Sequence, residues 1–346
     1  MHRDELRYPL SAEAIAQRPG AHRSASRLLV SPADGTPCHR RVDELPELLG
    51  PDDVLVLNDS RVKPARLRAA KESGGAVELL VVDRRADGAW LALLKSSRSP
   101  REGARLSLPG GGSAEVLGRD GALFVLGSDD LSGTLLSDGR VPLPPYIDRD
   151  DDAEDRERYQ ALHARDEGTW GEASASAAAP TAGLHLTPEL LTELTRRGVE
   201  VVRVTLGVSL ATFRPVTAEQ VEDHRMHEER IELSAETAAC LNAARGRGGR
   251  VVAVGTTSLR TLEAAASPSG RVRPVAGRTG LFLLPGSPFR VVDCLLTNFH
   301  QPGSTLLALV QAFAGSERIT TAYAEALEQG YRFLSYGDAM LLERAR

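Results

Sequence analysis

Short apolar runs that end in polar clusters recur along the chain. Val54-Leu55-Val56-Leu57 reads as a buried strand, and it ends at Asn58-Asp59-Ser60-Arg61. Polar residues at the carboxyl end of such a strand are where open α/β sheets keep ligands. The plainer alternative is a capped turn, which Asn58 or Asp59 would serve. Ser26-Arg27-Leu28-Leu29-Val30 gives an earlier strand. In the second half strand and helix alternate. A strand over 199–206 leads to Thr212-Phe213-Arg214-Pro215, Ser234 caps a helix over 235–244, and Val251–Val254 runs into Gly255-Thr256-Thr257-Ser258. Ser258 then caps a helix over 259–266 with Arg260 in its first turn. A strand over 291–296 ends at Thr297-Asn298-Phe299-His300, Ser304 caps the next helix, and a last helix lies near 322–328. These repeated units predict an α/β fold, a mainly parallel sheet with helices around it.

Between residues 64 and 145 the texture changes. Short apolar runs alternate with Gly, Asp and Ser clusters, and no convincing helix interrupts them, so a small β-barrel or sandwich is expected. Gly110-Gly111-Gly112 suits a hairpin-type turn and not a phosphate loop, because no helix follows. The extended Pro142-Leu143-Pro144-Pro145-Tyr146-Ile147 marks the return. Two domains follow from this: a discontinuous α/β catalytic domain of residues 1–63 and 146–346, and an inserted β-barrel domain of 64–145.

One stretch stands out, Ala179-Pro180-Thr181-Ala182-Gly183-Leu184-His185-Leu186-Thr187-Pro188-Glu189. Thr187 is a good N-cap and Pro188 suits the first helical position. Leu190, Leu191 and Leu194 share a face, and Gly198 closes the helix. Thr181, Gly183 and His185, just before the cap, let a polar ligand approach the main chain. The loops at Thr256-Thr257-Ser258 and Asn298–Ser304 are built alike, and three such loops suggest a shared polar pocket.

Composition narrows the function classes. A net charge of −5 argues against a general nucleic-acid binder. Lysine occurs only at Lys63, Lys71 and Lys95, so a polyanion would have to meet a local arginine face. No apolar run approaches the roughly 18 residues needed to span a bilayer, and Met1-His2-Arg3-Asp4-Glu5 has no signal-peptide core. Cys38, Cys240 and Cys294 are too few and too scattered for a disulfide framework. A cytoplasmic protein is expected. His224-Arg225-Met226-His227 has two histidines that would share a helical face, but no third ligand at a convincing spacing, so no metal is expected. Gly-x-Ser-x-Gly and a P-loop are absent, and Gly246-Arg247-Gly248-Gly249 precedes a strand instead of following one.

Ordered blocks then point to a family. They include Leu57-Asn58-Asp59-Ser60-Arg61-Val62, Pro142–Ile147, Glu157-Arg158-Tyr159-Gln160 and Ala179–His185. Thr212-Phe213-Arg214-Pro215-Val216, Met226-His227, Val254-Gly255-Thr256-Thr257-Ser258 and Leu296-Thr297-Asn298-Phe299-His300 continue the series. From Ile15 to Met340 the chain resembles the S-adenosylmethionine:tRNA ribosyltransferase-isomerase family of queuosine biosynthesis. The resemblance implies an α/β domain carrying a β-barrel, and S-adenosylmethionine as co-substrate with no metal. It also implies transfer and isomerisation of the ribosyl moiety onto 7-aminomethyl-7-deazaguanine in tRNA, giving epoxyqueuosine and releasing adenine and methionine. The sulfonium acidifies the C5′ protons, a base removes one, and methionine later leaves.

Within that reading His185 and His300 are candidates for acid/base work, with His227 third. The substrate-binding candidates are Asn58, Asp59, Arg61, Thr181, Gly183, Thr256, Thr257, Arg260, Asn298 and Thr305. Arg260 would pair with the methionyl carboxylate, while Arg61, Arg149, Arg156 and Arg158 would meet tRNA phosphates. A monomer is expected. Three departures from the family pattern stand at Gly207, Gly280 and Gly303, where the family usually has His, Asp and Lys, and the segment before Ala179 is Ala/Ser-rich where it usually has Gly-Ser-Val. They motivate a rival reading, a paralogue acting on S-adenosylmethionine as a lyase or with a small acceptor. A third reading is a catalytically silent RNA-binding scaffold, against which the retained His185, His227 and His300 speak.

Overall fold

The computed structural model describes residues 1–208 and 215–345. Strands β1 (Arg27–Ser31) and β2 (Cys38–Arg41), the short helix α1 (Leu45–Leu48), β3 (Val54–Asn58) and β4 (Arg61–Val62) come first. Then follow β5 (Arg66–Lys71), β6 (Ala76–Arg84), β7 (Trp90–Lys95), β8 (Arg105–Ser107), β9 (Ser113–Asp120), β10 (Leu123–Gly127) and α2 (Leu131–Asp138). After α3 (Ala153–Arg158) and β11 (Ala175–Ser176) come α4 (Pro188–Arg196), β12 (Glu200–Leu206), β13 (Glu229–Leu233) and α5 (Ala235–Gly246). The chain closes with β14 (Val251–Val254), α6 (Gly255–Ala264), β15 (Val275–Thr279), β16 (Cys294–Asn298), α7 (Thr305–Ala314), α8 (Ser316–Glu328) and β17 (Ala339–Glu343).

Among the described residues nine strands form one sheet in the order β15-β13-β12-β3-β14-β16-β17-β1-β2. Its centre, β12, β3, β14 and β16, is parallel. The margins are not: β13 and β15 pair antiparallel on one side, and β17 runs against β16 on the other. The sheet is therefore mixed around a parallel core. Because β17 and β1 run opposite to that core, their starts lie beside its carboxyl ends, and Asn298 registers with Ala339, which registers with Leu28. One edge thus gathers Asn58, Gly255, Asn298, Ser26 and the 335–338 segment.

The unbroken Val-Leu-Val-Leu run of β3 is explained by burial on both faces. Val54 and Val56 pack with Leu241 of α5 and Leu259 of α6, while Leu55 and Leu57 pack with Leu190 and Leu194 of α4. The inserted strands close into a six-stranded barrel, β10-β7-β6-β5-β8-β9. Leu67, Ala69, Val77, Leu79 and Trp90 fill it. Helix α2 adds Leu131 and Leu135 to this core. The sequence pattern does not reveal α2, because Ser132, Gly133 and Ser137 are poor helix formers and packing holds it.

Other boundaries move. Helix α6 begins at Gly255, four residues before the expected start, so Ser258 is no cap: its Oγ donates to the Val254 carbonyl (2.8 Å). Helix α8 begins at Ser316, earlier than expected. The 224–228 stretch is not helical, so His224 and His227 do not share a helix face. Strands β2, β13, β15 and β17 are additions, and the expected strand over 291–296 begins only at Cys294 and runs on through Asn298.

Removing the Leu135 side chain uncorks the barrel. Leu135→Ala is expected to cost about 2–5 kcal/mol of barrel stability. Hydrogen exchange should then quicken over β5–β10 and stay slow in β3 and β14; equal loosening of both regions would refute a separable barrel core.

Candidate active site

Between β11 and α4 the chain makes one tight turn, Thr181–His185, on the edge just described. Thr187 Oγ1 accepts from the Leu190 amide (3.3 Å), capping α4 with Pro188 at its first position. Ala182, Gly183, Leu184 and His185 are all buried. Gly183 is bare for a concrete reason: a Cβ there would stand 2.8 Å from Cε1 and 3.1 Å from Nε2 of His163. The main chain expected to admit a ligand admits an imidazole of the same chain. On the other flank β14 enters α6 without a loop, through Gly255 at φ 85°, whose Cβ position lies 3.6 Å from the Ala182 methyl.

His185 is held at both ring nitrogens. Asn298 Nδ2 lies 3.1 Å from Nε2, and Ser26 Oγ lies 3.1 Å from Nδ1. The same Nδ2 donates to the Leu334 carbonyl (3.1 Å). That second bond fixes the amide's orientation, so Nε2 accepts and the His185 proton sits on Nδ1. Leu334 has φ 70°, unlike any other described non-glycine residue. Backbone in that region costs of order 1–3 kcal/mol and is characteristic of functional sites. His300 is anchored similarly: Nε2 meets Thr297 Oγ1 (2.9 Å), its amide donates to the Tyr323 hydroxyl (2.9 Å), and its carbonyl accepts from Tyr8 (2.6 Å). Burial pushes His185 down to about 4 and His300 down to about 3, so both rings are neutral at pH 7.

Unpartnered polar atoms collect around the turn. Asn298 Oδ1, Thr257 Oγ1, Ser60 Oγ and both His163 nitrogens are buried without a hydrogen bond among the described residues. Burial lowers His163 to about 4, opposed by the Asn58 carbonyl nearby. Buried polar groups are seldom left unpaired, and ligand atoms supply such partners. Two small clefts open here. One of about 20 Å³ is lined by Arg23, Ser26, Arg158, His185 and Tyr336, and one of about 30 Å³ by Thr181, Asn298, His300 and Ser304. Each has room for about one water or one ligand atom. A larger cavity, about 840 Å³, lies away from the turn, between the barrel and the segment 143–150.

Several expected binding residues serve the fold. The Asn58 amide exchanges two bonds with the Leu206 main chain (3.0 Å each) and accepts from the Ser60 amide (3.1 Å). Asp59 accepts from Thr205 (2.7 Å) and Arg165 (3.0 Å). Together they lock β3 to β12, as the capped-turn alternative describes. Arg260 is buried, pairs with Glu229 through Nη1 and donates through Nε to the Leu281 carbonyl (3.1 Å), while its Nη2 is buried without a hydrogen bond among the described residues. Thr256 and Thr305 are buried in the first turns of α6 and α7. Arg61 donates to the Arg165 carbonyl (2.9 Å), and Arg149 grips Asp155 through two nitrogens (2.5 and 2.8 Å). Arg156 is exposed. His227 is exposed too, and no hydrogen bond joins it to His185 or His300 among the described residues. Thr212, Phe213 and Arg214 lie outside the described residues. Among the described residues no group of three or more His, Cys, Asp or Glu is placed to hold a metal ion. No helix there is long and apolar enough to cross a membrane.

His163, Arg23 and Ser26 come to the turn without being singled out by sequence. The one available signal for His163 is its place three residues beyond the block ending at Gln160. Gly207 also gains a reason: a Cβ there would stand 2.8 Å from the Ala175 carbonyl oxygen and 3.2 Å from that of Ala173.

Known proteins match along the whole chain. The family model for "Queuosine biosynthesis protein" matches residues 3–342. An S-adenosylmethionine:tRNA ribosyltransferase-isomerase from Xanthomonas oryzae pv. oryzae is 48% identical, over 99% of this chain and 97% of the relative. One from Anaeromyxobacter dehalogenans is 50% identical, over 99% and 100%. The crystal structure of S-adenosylmethionine tRNA ribosyltransferase from Thermotoga maritima superposes with a TM-score of 0.55 at 35% identity, covering 97% of this chain and 99% of that one.

Three neutral buried imidazoles make stability depend on pH. His163, His185 and His300 have folded values of about 4, about 4 and about 3, against 6.5 when unfolded. Above pH 6.5 neither state binds the protons and stability is full. As pH falls from 6.5 toward 4 only the unfolded chain gains them, at about 1.4 kcal/mol per pH unit for each ring once titration is under way. Melting temperature should be level from pH 8 to 7 and fall steadily from 6.5 to 4.5. A flat profile across that window would contradict the assignment of all three as neutral.

Proposed function

The chain belongs to the queuosine biosynthesis protein family, and we propose that it transfers the ribosyl moiety of S-adenosylmethionine to the deazaguanine base of a tRNA and isomerises it there, with release of adenine and methionine. The observation that carries this is the match over residues 3–342, joined by relatives at 48–50% identity over nearly their full lengths. The rival lyase or small-acceptor reading draws no support from those relatives. Residues 64–145 are taken as the inserted domain, within which all six barrel strands fall. The protein is taken to act on tRNA in the cytoplasm as a monomer, without a metal.

At the site, the chemistry asks for a proton acceptor beside a sulfonium and for partners to the ribose. A neutral imidazole is the form that accepts a proton, and His185 and His300 are both neutral at pH 7. His185 presents Nε2 as an acceptor, held meanwhile by Asn298. Asn298 Oδ1 is also an acceptor, so it suits a ribose hydroxyl or an ammonium and not a carboxylate. Thr257 Oγ1 and Thr181, close to the same turn, suit the remaining hydroxyls.

Incubation with S-adenosylmethionine and precursor tRNA, followed by mass analysis, should give the modified nucleoside with adenine and methionine in equal amounts. Adenine release without any change to the tRNA would move the reading to the small-acceptor enzyme. Replacing the acting histidine by Ala should lower turnover by about 10²–10⁴ with little loss of S-adenosylmethionine binding. Near-normal rates in both His185→Ala and His300→Ala, each folded, would remove both from the chemistry.

For tRNA contact, Arg156 and Arg61 are the informative positions, since Arg149 is engaged with Asp155. Affinity for tRNA should fall with salt, and Arg156→Ala should flatten the log–log slope by about 0.7–0.9. An unchanged slope would take Arg156 out of the interface.

A further inference from the structure

Two guanidinium groups reach the cleft beside His185 without a hydrogen-bonded carboxylate among the described residues. Arg23 donates to main-chain carbonyls, Nη1 to Leu184 (3.1 Å) and Nη2 to Glu157 (3.0 Å). Arg158 donates through Nη2 to the Gly20 carbonyl (2.6 Å), and its Nε is buried without a partner among the described residues. Its ion-pair contact with Glu154 is 3.9 Å, too long for a hydrogen bond. The Glu157 carboxylate is exposed and forms no ion pair with either group among the described residues. Both arginines line one cleft together with Ser26, His185 and Tyr336.

Arg245 and Arg318 also donate to main-chain carbonyls, but several other partly buried arginines are paired with an acid. Arg149 faces Asp155, Arg250 faces Asp53, Arg165 faces Asp59 and Arg260 faces Glu229. Neutral carbonyls satisfy hydrogen bonds but leave charge uncompensated. Burial, and then the charge of Arg158, hold Arg23 below the ordinary arginine value. A pair of like charges kept together at the mouth of a site is relieved by an anion. Guanidinium forks match the planar oxygens of carboxylate and the oxygens of phosphate.

We propose that Arg23 and Arg158 form an oxyanion subsite beside His185, taking the carboxylate of the methionyl tail or a phosphate of the tRNA. This rests on the functional reading above. Arg260, first expected to meet the carboxylate, already carries a charge partner in Glu229.

The test compares wild type with Arg23→Gln and Arg158→Gln, each checked for an unchanged melting temperature. If the subsite holds the carboxylate, affinity for S-adenosylmethionine falls about 10- to 100-fold in the variants. Decarboxylated S-adenosylmethionine then binds wild type and variants alike, and the salt slope for tRNA is unmoved. If it holds a phosphate, S-adenosylmethionine affinity stays and the salt slope flattens by about 0.7–0.9 per variant. Unchanged affinities and slope in folded variants of an active chain overturn the subsite alone. A wild-type chain that neither binds S-adenosylmethionine nor modifies tRNA overturns the functional reading and the subsite with it. Should the variants fail to fold, phenylglyoxal modification of the wild type decides: S-adenosylmethionine or tRNA must slow the reaction at Arg23 or Arg158, and protection by neither refutes the proposal.

Discussion

The Asn298 side chain is the tie on which the functional edge depends. It leaves the end of β16 and joins two elements between which no direct hydrogen bond runs among the described residues, the Thr181–His185 turn and the segment entering β17. Both protons of its amide nitrogen are taken, one by the His185 ring and one by the Leu334 carbonyl. Remove either acceptor and a buried N–H is left unpaired, which costs about 1–3 kcal/mol. The same bonds decide chemistry. They fix the tautomer of His185 and leave Oδ1 as an acceptor facing the site. The left-handed backbone of Leu334 belongs to the same arrangement, a local strain held by the packing of a buried residue.

Sheet topology makes that tie possible. In a wholly parallel sheet the starts of β1 and β17 would lie on the far edge. Here β17 runs against β16, so Ser26, Ser335 and Tyr336 arrive beside the carboxyl ends of β14 and β16. His185 can then lean on Ser26 from one side and on Asn298 from the other. Residues about 310 apart in the chain meet across this edge, as Arg27 does with Asp338 (2.9 Å). Asp155 braces the outer wall: burial works against its charge, but Arg149 and Tyr336 prevail and hold the carboxyl down to about 2.

This explains what was legible in the sequence. Local signals carried through: the N-caps at Thr187, Ser234 and Ser304 act as caps, and the Val54–Asn58 run is a strand buried on both faces. The alternation in 64–145 was enough to expect a barrel or sandwich, because each strand reports its own inside and outside. Where a side chain's role depends on a distant partner, the sequence was silent. Asn58 and Asn298 are both asparagines at the end of a buried strand. Nothing local says that one zips β3 to β12 while the other orients a histidine. Arg260 and Arg23 differ likewise only in whether a carboxylate waits across the fold. His163 has no periodic signature at all, and its place is visible only through the missing side chain of Gly183.

The departures from the family pattern separate on the same physical grounds. At Gly207 the main chain of Ala173 and Ala175 occupies the space a side chain would need. The Ala/Ser-rich segment and the glycine are thus two halves of one contact: moving 173–175 close to β12 requires the bare position, and the bare position is filled by that segment. A histidine restored at Gly207 alone would collide with a carbonyl oxygen at 2.8 Å. Gly280 is different, since a Cβ there would meet only the Glu228 Cγ at 3.6 Å, an ordinary contact. Gly303 has open space but a φ of 70°, so any side chain there would be held in a strained turn. A lost imidazole at Gly207 is therefore a change in packing, coupled to its neighbour and compatible with an intact edge. Among the described residues, the imidazoles that the edge itself orients sit on the turn (His185) and just beyond β16 (His300), and neither hydrogen-bonds Gly207, Gly280 or Gly303.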